Sequence, residues 1–255
     1  MKNILKAILI RTVFPIVVIA LWQISLANSA NPFFPPPSKI LRSARLVITP
    51  EWISTSLTSS LTTLFIGYFI GSVLGVTAGA LIGNNLKARI VLTPITNFIR
   101  SIPSVAKVPV IMALLGLGSA SRVCAVSVAV LFPVLMATMR AVATTSKELN
   151  EISLILGYGP VRTLMLVRLP AATGEILAGL HAAVQVALLV MVVSEMLGSG
   201  VGVGAFIINS QSTFMIADMW VGILVLGVIG VILNDLFLLA ERRIAPWYFK
   251  SKENM

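Results

Sequence analysis

The segment ELNEISLILGYGPVRTLMLVRLP, residues 148–170, lies between two strongly apolar stretches and carries much of the charge in this part of the chain. Its apolar residues recur at helical spacing up to Leu156, where two glycines and a proline interrupt the pattern. A basic helix-forming stretch follows, and Pro170 marks the start of the next apolar stretch. The segment therefore predicts a short hairpin made of a helix, a glycine turn and a second helix. The alternative is a plain surface loop, which does not require this apolar periodicity.

The composition places this hairpin in a membrane protein. The chain is 57% hydrophobic and 11% charged, whereas soluble domains carry about 25% charged residues. At about 20 residues per span, the 255 residues allow about five to seven helices and no separate soluble catalytic domain. We expect an all-α protein with a single transmembrane domain over 1–255 and a core at about 54–243.

The net charge of +10 does not indicate nucleic-acid binding. The basic residues flank apolar stretches and are not interleaved with aromatic residues, which is the pattern that the positive-inside rule describes. Cys124 is the only cysteine, so an internal disulfide is excluded, and we expect it to pack in the core.

Six apolar stretches predict six transmembrane helices, at about 8–26, 61–82, 90–115, 123–143, 176–197 and 219–239. Three prolines interrupt the third stretch, for which we expect a kinked helix inside the bundle. The first resembles a signal peptide but is long for one, so we interpret it as a retained span; cleavage after it is the alternative. Alternating spans place most lysines and arginines on one side, which predicts that both termini and the hairpin are cytoplasmic.

Five glycines follow one another at every fourth position in the second stretch. On a helix they form one stripe without side chains, which lets another backbone approach closely. We expect this stripe to be a helix-packing surface, although the sequence does not say whether the partner is internal or a second subunit. The alternative is the general abundance of glycine in spanning helices. The stripe consists of Gly67, Gly71, Gly75, Gly79 and Gly83.

Several polar side chains fall within the apolar stretches and are candidates for a translocation pathway. Charges inside a membrane are costly and usually face a bundle interior or a water-filled path. Arg100 and Lys107 are seven residues apart and would share a face of an unbroken helix. His181 and Gln185 are four residues apart. The alternative for each is an interfacial residue or a structural pair. The candidates are Arg100, Lys107, His181, Gln185, Ser194 and Glu195.

Enzymatic motifs are absent from the sequence. It contains one histidine, no HExxH motif, no Cys/His spacing typical of metal sites and no P-loop. The glycine-rich stretch GSGVGVG at 198–204 lacks the Lys-Ser/Thr of a phosphate loop, and we interpret it as a flexible outer loop. We therefore expect no metal, no cofactor and no ATPase activity in this chain, so that any ATP is bound by another polypeptide.

The hairpin resembles the cytoplasmic EAA loop of the permease subunits of bacterial ABC importers. Glu151, Gly157, Val167, Leu169 and Pro170 match that motif at its spacing, whereas Ile152 and Ser153 stand in place of its two alanines. Three further stretches resemble permeases of the nitrate/sulfonate/taurine type, in the same order along the chain. They are FFPPPSKIL at 33–41, FIRSIPSVAKVPVIMALLGLGSASR at 98–122 and VSEMLGSGVGVGAFI at 193–207.

The resemblance implies a type I ABC importer permease of the bacterial inner membrane. It implies a second permease copy, most simply in a homodimer, two ATP-binding subunits that hold ATP and Mg, a periplasmic or lipid-anchored solute-binding protein, surrounding lipid, and no nucleic acid. It also implies that a loop over about 146–172 couples the permease to the ATPase. The coupling residues would be Glu148, Glu151, Ile152, Ser153, Leu156, Gly157, Tyr158, Leu169 and Pro170.

The solute is suggested by a departure from the family pattern. Lys107 stands where such permeases usually carry a large apolar or aromatic residue, which favours an anionic or strongly polar solute such as a sulfonate, taurine, nitrate or an organic acid. Three other function classes remain as alternatives: an ion-coupled secondary transporter, which would predict an internal repeat; a membrane-embedded enzyme; and an export or signalling subunit.

Overall fold

The computed structural model describes residues 2–27, 33–198 and 200–246, with side chains from Val13 onward. All regular structure in these ranges is helical. A 3-10 turn at Ser104–Lys107 precedes α5, and π-helical turns occur within α3 at Ile53–Leu57 and within α8 at Leu164–Arg168. The helices are α1 Lys2–Leu26, α2 Pro37–Val47, α3 Pro50–Asn84, α4 Leu86–Ser101, α5 Val108–Leu115, α6 Ser119–Ala143, α7 Lys147–Ile155, α8 Pro160–Leu197, α9 Val203–Ser212 and α10 Ile216–Ile244.

Within the described parts of the chain, four helices, α3, α6, α8 and α10, are long and apolar enough to cross a membrane. A fifth span results if α4 and the segment Ser104–Leu115 are counted together, although they are bent by 87°. The apolar part of α1 that carries described side chains, Val13–Leu26, is shorter than these. Five of the six predicted stretches are thus helical throughout and the third is interrupted, while four or five of the described segments meet the length and composition of a span.

The bend in the third stretch is much sharper than the predicted kink. Ile102 and Pro103 adopt extended backbone conformations between the two helices. A residue before proline is disfavoured in the helical region, and proline lacks the N–H that would continue a helix, so the break falls at this pair. Pro94, by contrast, lies inside α4 without ending it.

The core of the bundle consists of α3, α6 and α8, and the glycine stripe lies at its centre. A Cβ atom added at Gly71 would lie 2.5 Å from the carbonyl oxygen of Ser127, and one at Gly79 would lie 2.6 Å from that of Leu135. The backbones of α3 and α6 are therefore in direct contact along the whole stripe. Its partner is an internal helix, which the sequence could not decide.

Contacts along the stripe also fix the relative directions of the helices. Gly67 faces Val126 and Gly83 faces Met139, so α3 and α6 run parallel. Asn84, the end of α6 and the hairpin therefore lie at one end of the bundle, which we call the hairpin end. The bent α4–α5 pair begins beside Asn84 and ends beside Ser119, so it connects the hairpin end with the opposite end.

Candidate functional site

The hairpin has the predicted helix, glycine turn and second helix. The Ser146 side chain caps α7 by accepting a hydrogen bond from the backbone N–H of Leu149 at 3.4 Å. Gly157 has φ +68°, a left-handed conformation that ends the helix and that glycine adopts without strain. Hydrogen bonds to the Glu148 carboxylate from its own backbone amide and from Ser146 lower the pKa of this exposed group.

The second half of the hairpin differs from the prediction, because no break occurs at Pro170. Helix α8 begins at Pro160 and continues to Leu197. The π-helical turn directly before the proline, in which the N–H of Leu169 bonds to the carbonyl of Leu164, shifts the hydrogen-bond register of the helix. The second half of the hairpin and the following span are consequently one continuous helix.

The tip of the hairpin exposes large apolar side chains. Leu154 is 74% and Ile155 is 84% exposed, and Leu156, Val161 and Ile152 are exposed as well. An exposed apolar patch rimmed by polar residues is typical of a surface that binds another protein. Glu148, Glu151 and Gly157 are also exposed, whereas Tyr158 is half-buried.

The base of the hairpin is held by Arg168, which sequence reasoning missed. Its Nε donates to Asn150 Oδ1 at 3.0 Å and its Nη1 donates to Asn84 Oδ1 at 2.8 Å. The Asn150 amide in turn donates to the carbonyl oxygens of Thr145 and Ser146. One guanidinium thus connects α7, α8 and the end of α3. The only signal in the sequence is a cation interrupting the apolar run before Leu169.

Ile152 and Ser153, which stand in place of the two motif alanines, differ in their exposure to solvent. Ser153 is 2% exposed and donates a hydrogen bond to the carbonyl of Asn150 at 2.7 Å. Ile152 is half-exposed beside it. The serine therefore belongs to the base of the hairpin, and the isoleucine to its outer surface.

Glu195 lies in a buried polar network at the opposite end of the bundle. It is 1% exposed and accepts hydrogen bonds from the Ser60 hydroxyl and from the backbone N–H of Gly204, both at 2.9 Å. Arg122 approaches its carboxylate at 3.8 Å and donates to the carbonyl of Val201 at 3.0 Å. These contacts match the structural pair that the sequence left open as an alternative to a pathway role.

The same network changes the interpretation of the glycine-rich stretch 198–204, which we expected to be a flexible outer loop. The Ser60 hydroxyl accepts a hydrogen bond from the N–H of Val203 at 2.9 Å. Gly202 has φ +115°, and a Cβ atom there would lie 2.3 Å from Glu195 Cδ. The segment is packed against the buried carboxylate. Ser194 is also buried, and it donates to the carbonyl of Met191 within its own helix.

Arg100 and Lys107 do not share a helical face, because the 87° bend separates them. Arg100 is exposed near the end of α4. Lys107 is half-buried on the 3-10 turn, and its Nζ lies 5.0 Å from the centroid of the Phe132 ring. A cation over an aromatic face is attracted to it, which positions Lys107 beside the break in the span.

His181 and Gln185 are not brought together, although they are four residues apart on α8. His181 faces α10: its Nε2 is 3.0 Å from Asn234 Oδ1, its Nδ1 is 3.5 Å from Glu241 Oε1, and its ring stacks on Phe237. Gln185 is exposed. The histidine thus connects two spanning helices.

Comparison with known proteins shows to which protein family the chain belongs. The family described as binding-protein-dependent transport system inner membrane component matches residues 71–250, which include four of the five stripe glycines, the hairpin and Glu195. The chain belongs to this family.

Relatives of this permease have similar length. It is 26% identical over 235 residues, 91% of this chain and 85% of the other, to a protein described as the aliphatic sulfonates transport permease SsuC of Bacillus subtilis (strain 168). It is 26% identical over 234 residues, 89% and 85% of the two chains, to the taurine transport system permease protein TauC of Escherichia coli (strain K12). The importer-permease prediction is confirmed.

A solved structure shows the same fold. The inward-facing MetNI methionine ABC transporter contains a chain that superposes with a TM-score of 0.59 at 22% identity, covering 76% of this chain and 94% of that one. This likeness supports the type I permease architecture.

Proposed function

We propose that this permease forms half of the translocation pathway of a bacterial ABC importer, as one of two copies, with two ATP-binding subunits that hold ATP and Mg. A solute-binding protein delivers the solute from outside. In this proposal the chain has six spans in the inner membrane, and both termini and the hairpin are cytoplasmic, as the distribution of basic residues favours.

The observation that carries the proposal is an exposed apolar tip on a firmly held base. The side chains of the tip, Leu154–Leu156, are between 58% and 84% exposed, so a separate subunit is needed to remove them from water. The base is tied to α3 and α8 through Arg168. Force applied at the tip is therefore transmitted to the spans, because α8 is continuous from Pro160 to Leu197.

Ile155→Asp tests this docking surface. It places a charge where an apolar side chain would be buried, and we expect recovery of the ATPase with the tagged permease to fall at least tenfold. Leu46→Asp, at a residue that is 79% exposed at the opposite end, is the matched control. Equal recovery of the ATPase with both variants, or robust solute transport by the permease alone, would contradict the proposal.

The solute class is part of the same proposal. Lys107 supplies a positive charge beside the break in the α4–α5 pair, and relatives of the chain include a taurine permease and a protein described as a sulfonate permease. A half-buried cation stabilises an anionic group that passes close to it. We propose a small organic anion, such as a sulfonate or carboxylate, as the solute.

A further inference from the structure

A cavity of about 580 Å³ lies between α4 and α6 near the hairpin end, apart from the hairpin and from Lys107. On each helix its lining residues recur at three- or four-residue spacing, so each helix contributes one face. The polar and sulfur-containing lining residues are Arg89, Thr93 and Asn97 from α4, Met136, Met139 and Arg140 from α6, and Thr144 directly after α6.

The cavity contains two cations and no carboxylate. Its lining includes no Asp or Glu, and neither guanidinium has an ion pair or a side-chain hydrogen bond within the ranges that the structure describes. Arg89 is half-buried, so its charge is only partly hydrated, whereas Arg140 is exposed. Two unpaired like charges that line one cavity repel each other, and a bound anion relieves this repulsion. The planar guanidinium fork matches phosphate, sulfonate and carboxylate oxygens.

The position of the two arginines defines the ligand further. Arg89 lies in the first turn of α4 and Arg140 in the last turn of α6, so both are within about 5 Å of the helix ends along the axis. Ile90, Pro94 and Met136 add apolar surface to the lining, beside the polar side chains of Thr93 and Asn97. An anionic head at the membrane surface with an apolar body below it fits this shape, as basic pockets between spanning helices bind anionic lipid heads.

We propose that Arg89 and Arg140 form an anion-binding site for a phosphate or sulfonate head group, of which an anionic phospholipid and a free organosulfonate are the two sources. The site goes beyond solute import and ATPase docking. It does not depend on the Ile155 or Lys107 hypotheses, so their failure would leave it standing.

The test uses the purified permease–ATPase complex, with phosphatidylglycerol and phosphatidylcholine as lipid probes in native mass spectrometry. The double variant Arg89→Gln/Arg140→Gln should bind phosphatidylglycerol about 25-fold more weakly, since each basic residue near an anionic lipid surface contributes about fivefold. Lys87→Gln removes a cation two residues away that does not line the cavity, and it should leave this binding unchanged. Arg89→Lys/Arg140→Lys should retain most of it, and assembly with the ATPase checks folding.

Methanesulfonate distinguishes the two sources. If it displaces phosphatidylglycerol from the wild-type complex, or stabilises that complex against heat but not the double variant, the site also takes free anions. If phosphatidylglycerol is lost only in the double variant and methanesulfonate has no effect, the ligand is the lipid. The proposal is overturned if the double variant and Lys87→Gln do not differ in phosphatidylglycerol binding or in stabilisation by methanesulfonate.

Discussion

At the scale of single residues, Glu195 shows why a carboxylate is kept inside an apolar bundle. Removing its charge from water is costly, and the cost is offset by Arg122, the Ser60 hydroxyl and the Gly204 amide around it. The contacts join α3, α6, α8 and the start of α9. The carboxylate therefore determines how four elements meet at the end opposite the hairpin.

Replacing Glu195 by alanine should destabilise the permease by about 3 to 5 kcal/mol, because the charge of Arg122 would remain buried without a carboxylate beside it. The free energy of unfolding in detergent measures the effect. Glu195→Met/Arg122→Met, which removes both charges, should recover part of the loss. Gln211→Ala, at an exposed position on α9, is the control. A Glu195→Ala protein as stable as that control would contradict the structural role.

At the scale of helices, the glycine stripe holds α3 and α6 at backbone contact. Gly79→Ala should destabilise the protein by about 1 to 3 kcal/mol, since the added Cβ overlaps the backbone of α6 at Leu135. Gly227→Ala in α10 is the matched control, because no heavy atom lies within 4 Å of its added Cβ. At that position the substitution should leave the stability of the protein unchanged or raise it, because alanine has a higher helix propensity than glycine. If thermal unfolding ranks the two variants in the opposite order, the stripe is not a close-packing surface.

Arg168 also determines how helices are arranged, because it connects the hairpin with two spanning helices. Arg168→Lys keeps the charge but removes the planar guanidinium. A lysine has no separate Nε and Nη1 groups that can donate to Asn150 and Asn84 at the same time. We expect hydrogen exchange over α7 to accelerate about tenfold, corresponding to the loss of one charge-assisted hydrogen bond.

Arg162→Lys, at an exposed position on the same hairpin, should leave this exchange unchanged. ATP hydrolysis by the assembled complex should then become less dependent on the loaded binding protein in Arg168→Lys alone. Identical exchange over α7 in the two variants would show that Arg168 does not position the hairpin.

At the scale of the whole molecule, the sharp break in the α4–α5 pair places a cation at the side of the bundle. Lys107→Met should slow import of an anionic solute about tenfold in the reconstituted importer, equivalent to losing about 1.4 kcal/mol of interaction. Lys107→Arg should retain most of the rate, and Lys87→Met at the hairpin end should not change it. Unchanged import by Lys107→Met would remove this residue from the pathway.

Much of this architecture follows from local patterns in the sequence. Apolar runs predict spanning helices, the four-residue glycine repeat predicts a packing stripe, and the apolar helical spacing interrupted by Gly157, Gly159 and Pro160 predicts the hairpin. These signals are reliable because each depends on hydrophobic periodicity or turn chemistry within a few residues.

Other features were decided by the tertiary structure alone. Ser60 and Glu195 are in contact although 135 residues separate them in sequence, and Arg168 and Asn84 are in contact although 84 residues separate them. No local sequence pattern indicates either pair. Such contacts depend on the rotation and register of whole helices, which close packing determines. For the same reason the partner of the glycine stripe and the 87° bend could not be read from sequence. The sequence by itself determined which segments are helical and where the hairpin lies, while tertiary packing decided which side chains hold them together.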